Sequence, residues 1–142
     1  MKLMPFLLFE GNCAEAMAFY QSCLGGELTI SKVKDIPMAA QVPVEQLDKV
    51  AFANLTSGVL EVSATDWRNP TRLPKQANPV ALFNSGGTYS ELRTIFDKLA
   101  VGASKDLLDD LQQLPIGTYG HLADNYGVHW FFQGDKAWAF TK

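Results

Sequence analysis

An internal repeat constrains the fold of this 142-residue chain more than any other feature of its sequence. Pro5 lines up with Pro79, and the Leu-Phe pair at 8–9 lines up with the Leu-Phe pair at 82–83, at an offset of 74 residues. Further along, the run FYQSCLGG resembles the run IFDKLAVG after a small insertion. Because a repeated order of elements indicates a duplicated structural unit, the sequence predicts two related modules.

The first half predicts a strand, a helix and three further strands. The apolar run from Leu3 to Phe9 is short enough for a buried strand. Asn12 and Glu15 form a capping-box pattern, which starts a helix that runs from about Cys13 to Leu24. Gly25 supplies a left-handed stop after that helix. Three strands then follow, the last two around a TSG turn, over residues 27–34, 49–55 and 59–64.

The second half predicts the same order of elements. Thr88 and Glu91 form a second capping box. Apolar side chains then recur at helical spacing and indicate one buried helix face, formed by Leu92, Ile95, Phe96 and Leu99. Residues 104–115 are compatible with either a strand or a helical turn, and a hairpin follows that turns at 124–127. Residues 136–142 are expected to add a short edge strand.

This order of elements indicates an α+β fold with a mixed or antiparallel sheet. We expect one domain over residues 1–142, with modules of about 1–66 and 78–142 joined by a loop over 67–77. One half alone cannot bury its helix face and both faces of its sheet. The two paired β-α-β-β-β modules are therefore expected to form one curved-sheet cleft, and pockets favour such interfaces.

Composition and charge exclude several classes of protein. The net charge of −3 at pH 7 argues against a nucleic-acid surface, which needs clustered Lys and Arg. No apolar run approaches the roughly 20 residues of a membrane span. The start of the chain lacks the features of a secretory signal, since Pro5 and Glu10 break its short apolar run. The sequence therefore predicts a cytoplasmic protein with no nucleic-acid or membrane partner.

The two cysteines are expected to be small buried residues. Cys13 and Cys23 lie near opposite ends of one predicted helix, about 15 Å apart at 1.5 Å per residue, which is too far for a disulfide. Cys13 stands at the helix N-terminus, a position that lowers the pKa of a thiol.

Four segments that together span nearly the whole chain resemble one superfamily: PFLLFEGNCAEAMAFYQSCLGGEL, VPVEQLDKVAFANL, VSATD and DNYGVHW. They are similar to the vicinal-oxygen-chelate superfamily of glyoxalase I, bleomycin-resistance proteins and extradiol dioxygenases, and most of all to its PhnB-like group. The resemblance implies the glyoxalase/bleomycin-resistance/dioxygenase fold and a homodimer. The group has carried a methyltransferase label, but this sequence lacks a Gly-rich strand-to-helix loop suited to S-adenosylmethionine.

Members of the superfamily usually hold one divalent metal with His and Glu side chains from both modules. The resemblance places the four ligand positions at Pro5, Glu61, Pro79 or its neighbour, and Phe131. Three of these four positions hold side chains without a donor atom, and a metal site needs three or four converging ligands. We therefore expect no cofactor and no catalytic metal.

A rearranged metal site is the alternative. His129 alternates with Phe131, so both side chains face the same way along their strand. His121 stands on the opposing strand of that hairpin, where a surface or rim position is also expected. Together with Glu61, the two histidines could form a set of two His and one carboxylate for a divalent metal.

The residues expected to line the cleft are Phe6, Phe52, Glu61, His129 and Phe131. An aromatic cleft with one acid and one histidine suits a small organic ligand, although rings in these positions also fill ordinary cores. The first hypothesis is a metal-free protein that binds such a ligand. The second is a metal-dependent lyase, isomerase or dioxygenase. The third is a metal-free enzyme with Glu61 as the catalytic residue, a buried base with a raised pKa.

Overall fold

The computed structural model describes residues 1–37, 39–67, 80–115 and 117–134. The chain divides into two compact units, residues 1–75 and 76–142. The predictions for Pro79, for most of the 67–77 loop and for the 136–142 edge strand lie outside the described residues. No helix in the described ranges is long and apolar enough to cross a membrane.

The first unit is a four-stranded mixed sheet with one helix. Its elements are β1 (Phe6–Leu8), α1 (Cys13–Leu24), β2 (Glu27–Lys32), β3 (Val50–Ser57) and β4 (Leu60–Thr65). The strand order is β1-β4-β3-β2, in which β1 is parallel to β4 and the other neighbours are antiparallel. Three short 3₁₀ turns lie in the described part of the segment between β2 and β3.

The second unit repeats this topology. Its elements are β5 (Leu82–Ser85), α2 (Tyr89–Leu99), β6 (Asp109–Leu114), β7 (Gly117–Ala123) and β8 (His129–Gln133). The strand order is β5-β8-β7-β6, and β5 is again parallel to its neighbour while the other pairs are antiparallel. The α+β class and the paired β-α-β-β-β order are therefore confirmed. The ambiguous 104–115 segment contains one 3₁₀ turn and then β6.

The two helices begin in different ways. At α2 the capping box of Thr88 and Glu91 is present as predicted. At α1 the predicted capping box is wrong, because the side chain of Asn12 makes no capping hydrogen bond. Instead, Oδ1 of Asp66 accepts hydrogen bonds from the backbone N–H of Gly11 at 2.7 Å and of Cys13 at 3.1 Å. The side chain that follows β4 thus accepts from the first N–H of the helix, that of Cys13, and from the N–H of Gly11 just ahead of it.

Each sheet is covered by its helix on one face. In the first unit, α1 buries five side chains, those of Cys13, Ala16, Met17, Tyr20 and Cys23. Along β4, Val62 and Ala64 point to this side and are buried. In the second unit, Phe96 of α2 packs edge-on against Phe132 of β8, with ring centroids 5.4 Å apart. The opposite face of each sheet is called its helix-free face below.

The thiol of Cys13 is less reactive than its position at a helix N-terminus suggests. Cys13 is fully buried, and burial, followed by the negative charge of Asp66, raises the pKa of its thiol to about 12. The expected lowering of this pKa is therefore wrong. Cys23 is also free and buried.

We expect neither thiol to react with Ellman's reagent (DTNB) in the folded protein at pH 8. With a pKa of about 12, only about one Cys13 side chain in ten thousand is a thiolate at that pH, and the thiolate is the nucleophile. Two thiols should react once the protein is unfolded in guanidinium chloride. Modification of one thiol within minutes under native conditions would contradict the burial of Cys13.

Candidate functional site

The helix-free face of the first sheet carries a pair of aromatic rings. Phe6 of β1 and Phe52 of β3 have ring centroids 6.0 Å apart, although β4 lies between their strands. The two rings therefore reach towards each other over β4, where Ser63 and Thr65 are only 2% and 4% exposed. Phe6 and Phe52 themselves remain 48% and 50% exposed. Two of the predicted cleft residues thus lie side by side on one surface.

Glu61 lies on the same face, within a polar network. Asn54 donates from Nδ2 to Oε2 of Glu61 at 3.1 Å and to Oγ of Ser63 at 3.0 Å. Thr56 donates from Oγ1 to Oδ1 of Asn54 at 3.0 Å, which fixes the orientation of the amide. Nζ of Lys2 forms an ion pair with Oε1 of Glu61 at 2.5 Å. The carboxylate is thus fixed by the sheet on one side and paired with a lysine on the other.

The expectation of a raised pKa at Glu61 is wrong. Its side chain is 25% exposed, so burial raises the pKa only weakly. The hydrogen bonds from Lys2 and Asn54 favour the charged form and lower the pKa of Glu61 below its ordinary value of 4.5. A carboxylate of this kind is a weak proton acceptor at neutral pH, although its catalytic role stays a prediction.

The helix-free face of the second sheet carries two histidines and a phenylalanine. Nε2 of His121 lies 3.0 Å from Nδ1 of His129. The His121 ring also stacks on Phe131, with centroids 4.2 Å apart and planes tilted by 27°. Phe83 of β5 is paired with Phe131 in the register and is 55% exposed. The predicted common face of His129 and Phe131 is confirmed, and His121 joins them there.

The contact between the two imidazoles is a hydrogen bond between Nε2 of His121 and Nδ1 of His129. One of the two facing nitrogens must donate and the other accept, so the pair is stable with a single hydrogen between them. Burial and the neighbouring His129 lower the pKa of His121, and the negative charge of Asp109 only partly opposes this. A second proton at the contact would force two donors together.

Acid should therefore destabilise the protein through His121. Because the pKa of His121 is lowered from its ordinary value of 6.5, its contribution to stability is present above pH 6.5 and lost as the pH falls through the lower value. We expect the free energy of unfolding, measured in urea, to fall between pH 7.5 and pH 5.5, and to fall less in His121→Gln. Glu61 and Asp110 also have lowered pKa values, below the ordinary 4.5 of Glu61 and the ordinary 3.8 of Asp110. Their protonation therefore affects stability only at a pH below this range. An equal fall in the variant would contradict this origin.

Among the described residues at the metal positions of the superfamily, Glu61 alone has a side chain with a donor atom. Glu61 lies in β4 and Phe131 in β8, while Pro5 precedes β1 and offers only its backbone oxygen, which accepts from the N–H of Ser63 at 3.0 Å. Of the alternative set, His121 and His129 come together in the second unit, whereas Glu61 belongs to the first. Within the described ranges, no three His, Cys, Asp or Glu side chains gather as a metal site.

The same fold is found in a glyoxalase/bleomycin-resistance domain of known structure. A glyoxylase/bleomycin resistance protein/dioxygenase domain from Frankia sp. EAN1pec superimposes with a TM-score of 0.61 at 14% identity, over 94% of this chain and 90% of that one, a likeness that shows the fold alone. The chain belongs to the PhnB-like family, since the family profile described as 3-demethylubiquinone-9 3-methyltransferase matches residues 1–133.

Three relatives are similar along nearly their whole length. Protein YjdN of Escherichia coli (strain K12) is 25% identical over 92% of both chains. The structure of PA1353 from Pseudomonas aeruginosa has a TM-score of 0.80 at 26% identity, over 94% of this chain and 97% of that one. A putative 3-demethylubiquinone-9 3-methyltransferase, PhnB protein, from Bacillus cereus has a TM-score of 0.70 at 27% identity, over 94% and 99%.

Proposed function

We propose that this protein binds a small organic ligand through the aromatic, helix-free face of its first sheet, without a catalytic metal. The observation that carries the proposal is the exposure of Phe6 and Phe52, half accessible on a sheet face beside a fixed carboxylate. Exposed aromatic side chains that lie together favour ligand binding, because a bound ligand removes their apolar surface from water. We do not extend the methyl transfer named in the family description to this chain, because its sequence lacks a loop suited to S-adenosylmethionine.

A thermal-shift screen of small planar compounds tests this proposal. We expect hits to raise the melting temperature, and Phe52→Ala to weaken a hit by about tenfold, because the lost ring removes roughly 1–2 kcal/mol of contact. Val59→Ala is the matched control, since Val59 is fully exposed on the turn between β3 and β4. Hits that bind Phe6→Ala and Phe52→Ala as well as the parent protein would contradict a site on this face.

A divalent-metal-dependent lyase, isomerase or dioxygenase is the second candidate. The observation that favours it is the 3.0 Å separation of Nε2 of His121 and Nδ1 of His129. Two nitrogen ligands on one metal ion, each at about 2.0–2.1 Å, lie at a separation of about 3 Å. Plasma mass spectrometry after loading with Ni, Zn, Mn or Fe(II) separates the two candidates. A stoichiometric metal that disappears in His129→Ala would favour the enzyme, and its absence under every loading would favour the binding protein.

The cytoplasmic location that the sequence predicts and the homodimer that the family resemblance implies stay predictions. Sedimentation of the purified protein over a tenfold range of concentration would test the dimer.

A further inference from the structure

The geometry points to an ammonium-binding site at the carboxylate of Glu61. In the free protein Nζ of Lys2 occupies this site, and the ammonium group of an aromatic amine would replace it. This inference rests on the proposed function and names the class of ligand. It follows from a contrast between the two sides of the Glu61 carboxylate. One oxygen is bound by a side chain that the sheet holds in place, and the other by a side chain from outside the sheet.

The fixed side belongs to β3 and β4. Glu61 lies opposite Thr56, and Ser63 opposite Asn54, in the antiparallel register of these strands. Asn54 bonds to Oε2 of Glu61 and to Ser63, and Thr56 bonds to Asn54. Because these groups hold each other through strand pairing, the carboxylate keeps its position when Oε1 changes its partner.

The exchangeable side belongs to Lys2. This residue lies in an extended segment ahead of β1, and its side chain is 65% exposed. An exposed ion pair contributes little to stability, because both charges are well hydrated and a long side chain loses freedom on pairing. A ligand ammonium can therefore take the place of Nζ of Lys2 without disturbing the fold.

The chemistry of the site selects an ammonium rather than a metal ion. Asn54 turns its NH₂ group towards Glu61, and its oxygen already accepts from Thr56, so the amide offers no ligand oxygen beside the carboxylate. A single carboxylate does not supply the three or four ligands that a metal site needs. An ammonium needs only an acceptor, which Oε1 provides. A glutamate with its ordinary pKa of 4.5 is already charged at neutral pH, so Oε1 is an anionic acceptor there whichever ammonium binds it.

The neighbouring rings select the rest of the ligand. Phe6 lies beside Ser63 in the parallel register of β1 and β4, two residues along β4 from Glu61 and on the same face. Its ring and that of Phe52 are half exposed. A flat apolar group attached to the amine can stack on these rings, and the positive charge itself is attracted to an aromatic face.

Titrations with three matched probes test the inference: 2-phenylethylamine, the neutral 2-phenylethanol and the anionic 3-phenylpropanoate. Dissociation constants are measured from ¹H–¹⁵N chemical shifts at pH 7. We expect the amine to bind at least threefold more tightly than the alcohol, and the anion most weakly. Lys2→Met should tighten the amine at least threefold and leave the alcohol unchanged, because it removes the internal competitor. Glu61→Gln should weaken the amine to the level of the alcohol.

Lys34→Met is the matched control. Lys34 forms an exposed ion pair with Asp48 at 3.4 Å, and both residues lie outside β4. It should leave all three dissociation constants unchanged. If the alcohol binds but Lys2→Met and Glu61→Gln leave the amine unchanged, the ammonium site is overturned while the proposed function stands. If none of the three probes shifts the amide signals of Phe6 or Phe52 in any variant, the ammonium site and the proposed function are both overturned.

Discussion

Replacing Asp124 with alanine is expected to lower the free energy of unfolding by about 3–5 kcal/mol. This carboxyl group is 4% exposed and accepts three hydrogen bonds at the turn between β7 and β8. Oδ1 accepts from the backbone N–H of Tyr126 at 2.8 Å and of Val128 at 3.1 Å, and Oδ2 accepts from Nε1 of Trp130 at 2.8 Å. Alanine leaves all three donors without this partner, one of them on a Trp side chain that is 5% exposed.

Urea unfolding at pH 7.5 measures this loss. Asp124→Asn keeps one acceptor oxygen for the turn but turns an NH₂ group towards Trp130, so an intermediate loss is expected. Trp130→Phe in the Asp124→Ala background should cost less than in the parent protein, because the indole N–H has then already lost its acceptor. A loss below about 1 kcal/mol in Asp124→Ala would show that water replaces the carboxyl group at this turn.

The same hairpin positions the histidine pair. Leu122 pairs with Trp130 and Ala123 with His129, directly beside the turn that Asp124 holds. The alternation of strand side chains let the sequence predict that His129 and Phe131 share a face. It put His129 and His121 together only in the alternative metal set, because their contact depends on the register of two strands. Asp124 sets this register through bonds that a linear pattern does not reveal.

Register also decides on which face of the first sheet Glu61 lies. A three-residue TSG turn over 56–58 would place Glu61 opposite Ala53, on the face that α1 covers. In the structure the turn is Gly58-Val59, Ser57 pairs with Leu60, and Glu61 lies opposite Thr56 on the helix-free face. A difference of one residue in the loop thus decides the face, since strand side chains alternate. The sequence analysis did not find Asn54 and Lys2, because neither residue belongs to a distinctive motif.

Two features carried by neighbouring residues were predicted correctly, the end of α1 and the start of α2. Gly25 ends α1 with φ of 75°, and its N–H bonds to the oxygen of Gln21. Thr88 caps α2 through Glu91, three residues away. The repeated order of elements predicted the strands and the helix of each unit, because each module forms the same local units. Features that join distant residues, such as the cap of α1, could not be found in this way.

Replacing Asp66 with alanine should lower the free energy of unfolding by about 2–3 kcal/mol, whereas Asn12→Ala should change it by less than about 0.5 kcal/mol. Local sequence favours the opposite order, because Asn12 stands at the preferred capping position. In the structure Asp66, 5% exposed, accepts from the N–H groups of Gly11 and Cys13, and Asn12 makes no capping bond. Removing Asp66 therefore leaves two donors at the start of α1 without this acceptor.

Urea unfolding of both variants at pH 7.5 compares the two caps directly. Asp66→Asn is the matched control, since its amide oxygen can still accept from the helix start, and it should recover part of the loss. The Cys13 thiol gives an independent readout, because the charge of Asp66 helps to raise its pKa. Its pKa should fall in Asp66→Ala while burial keeps it above the ordinary value. If Asn12→Ala proved the more costly change, the helix would be capped locally, and β4 would not be tied to α1 through this carboxyl group.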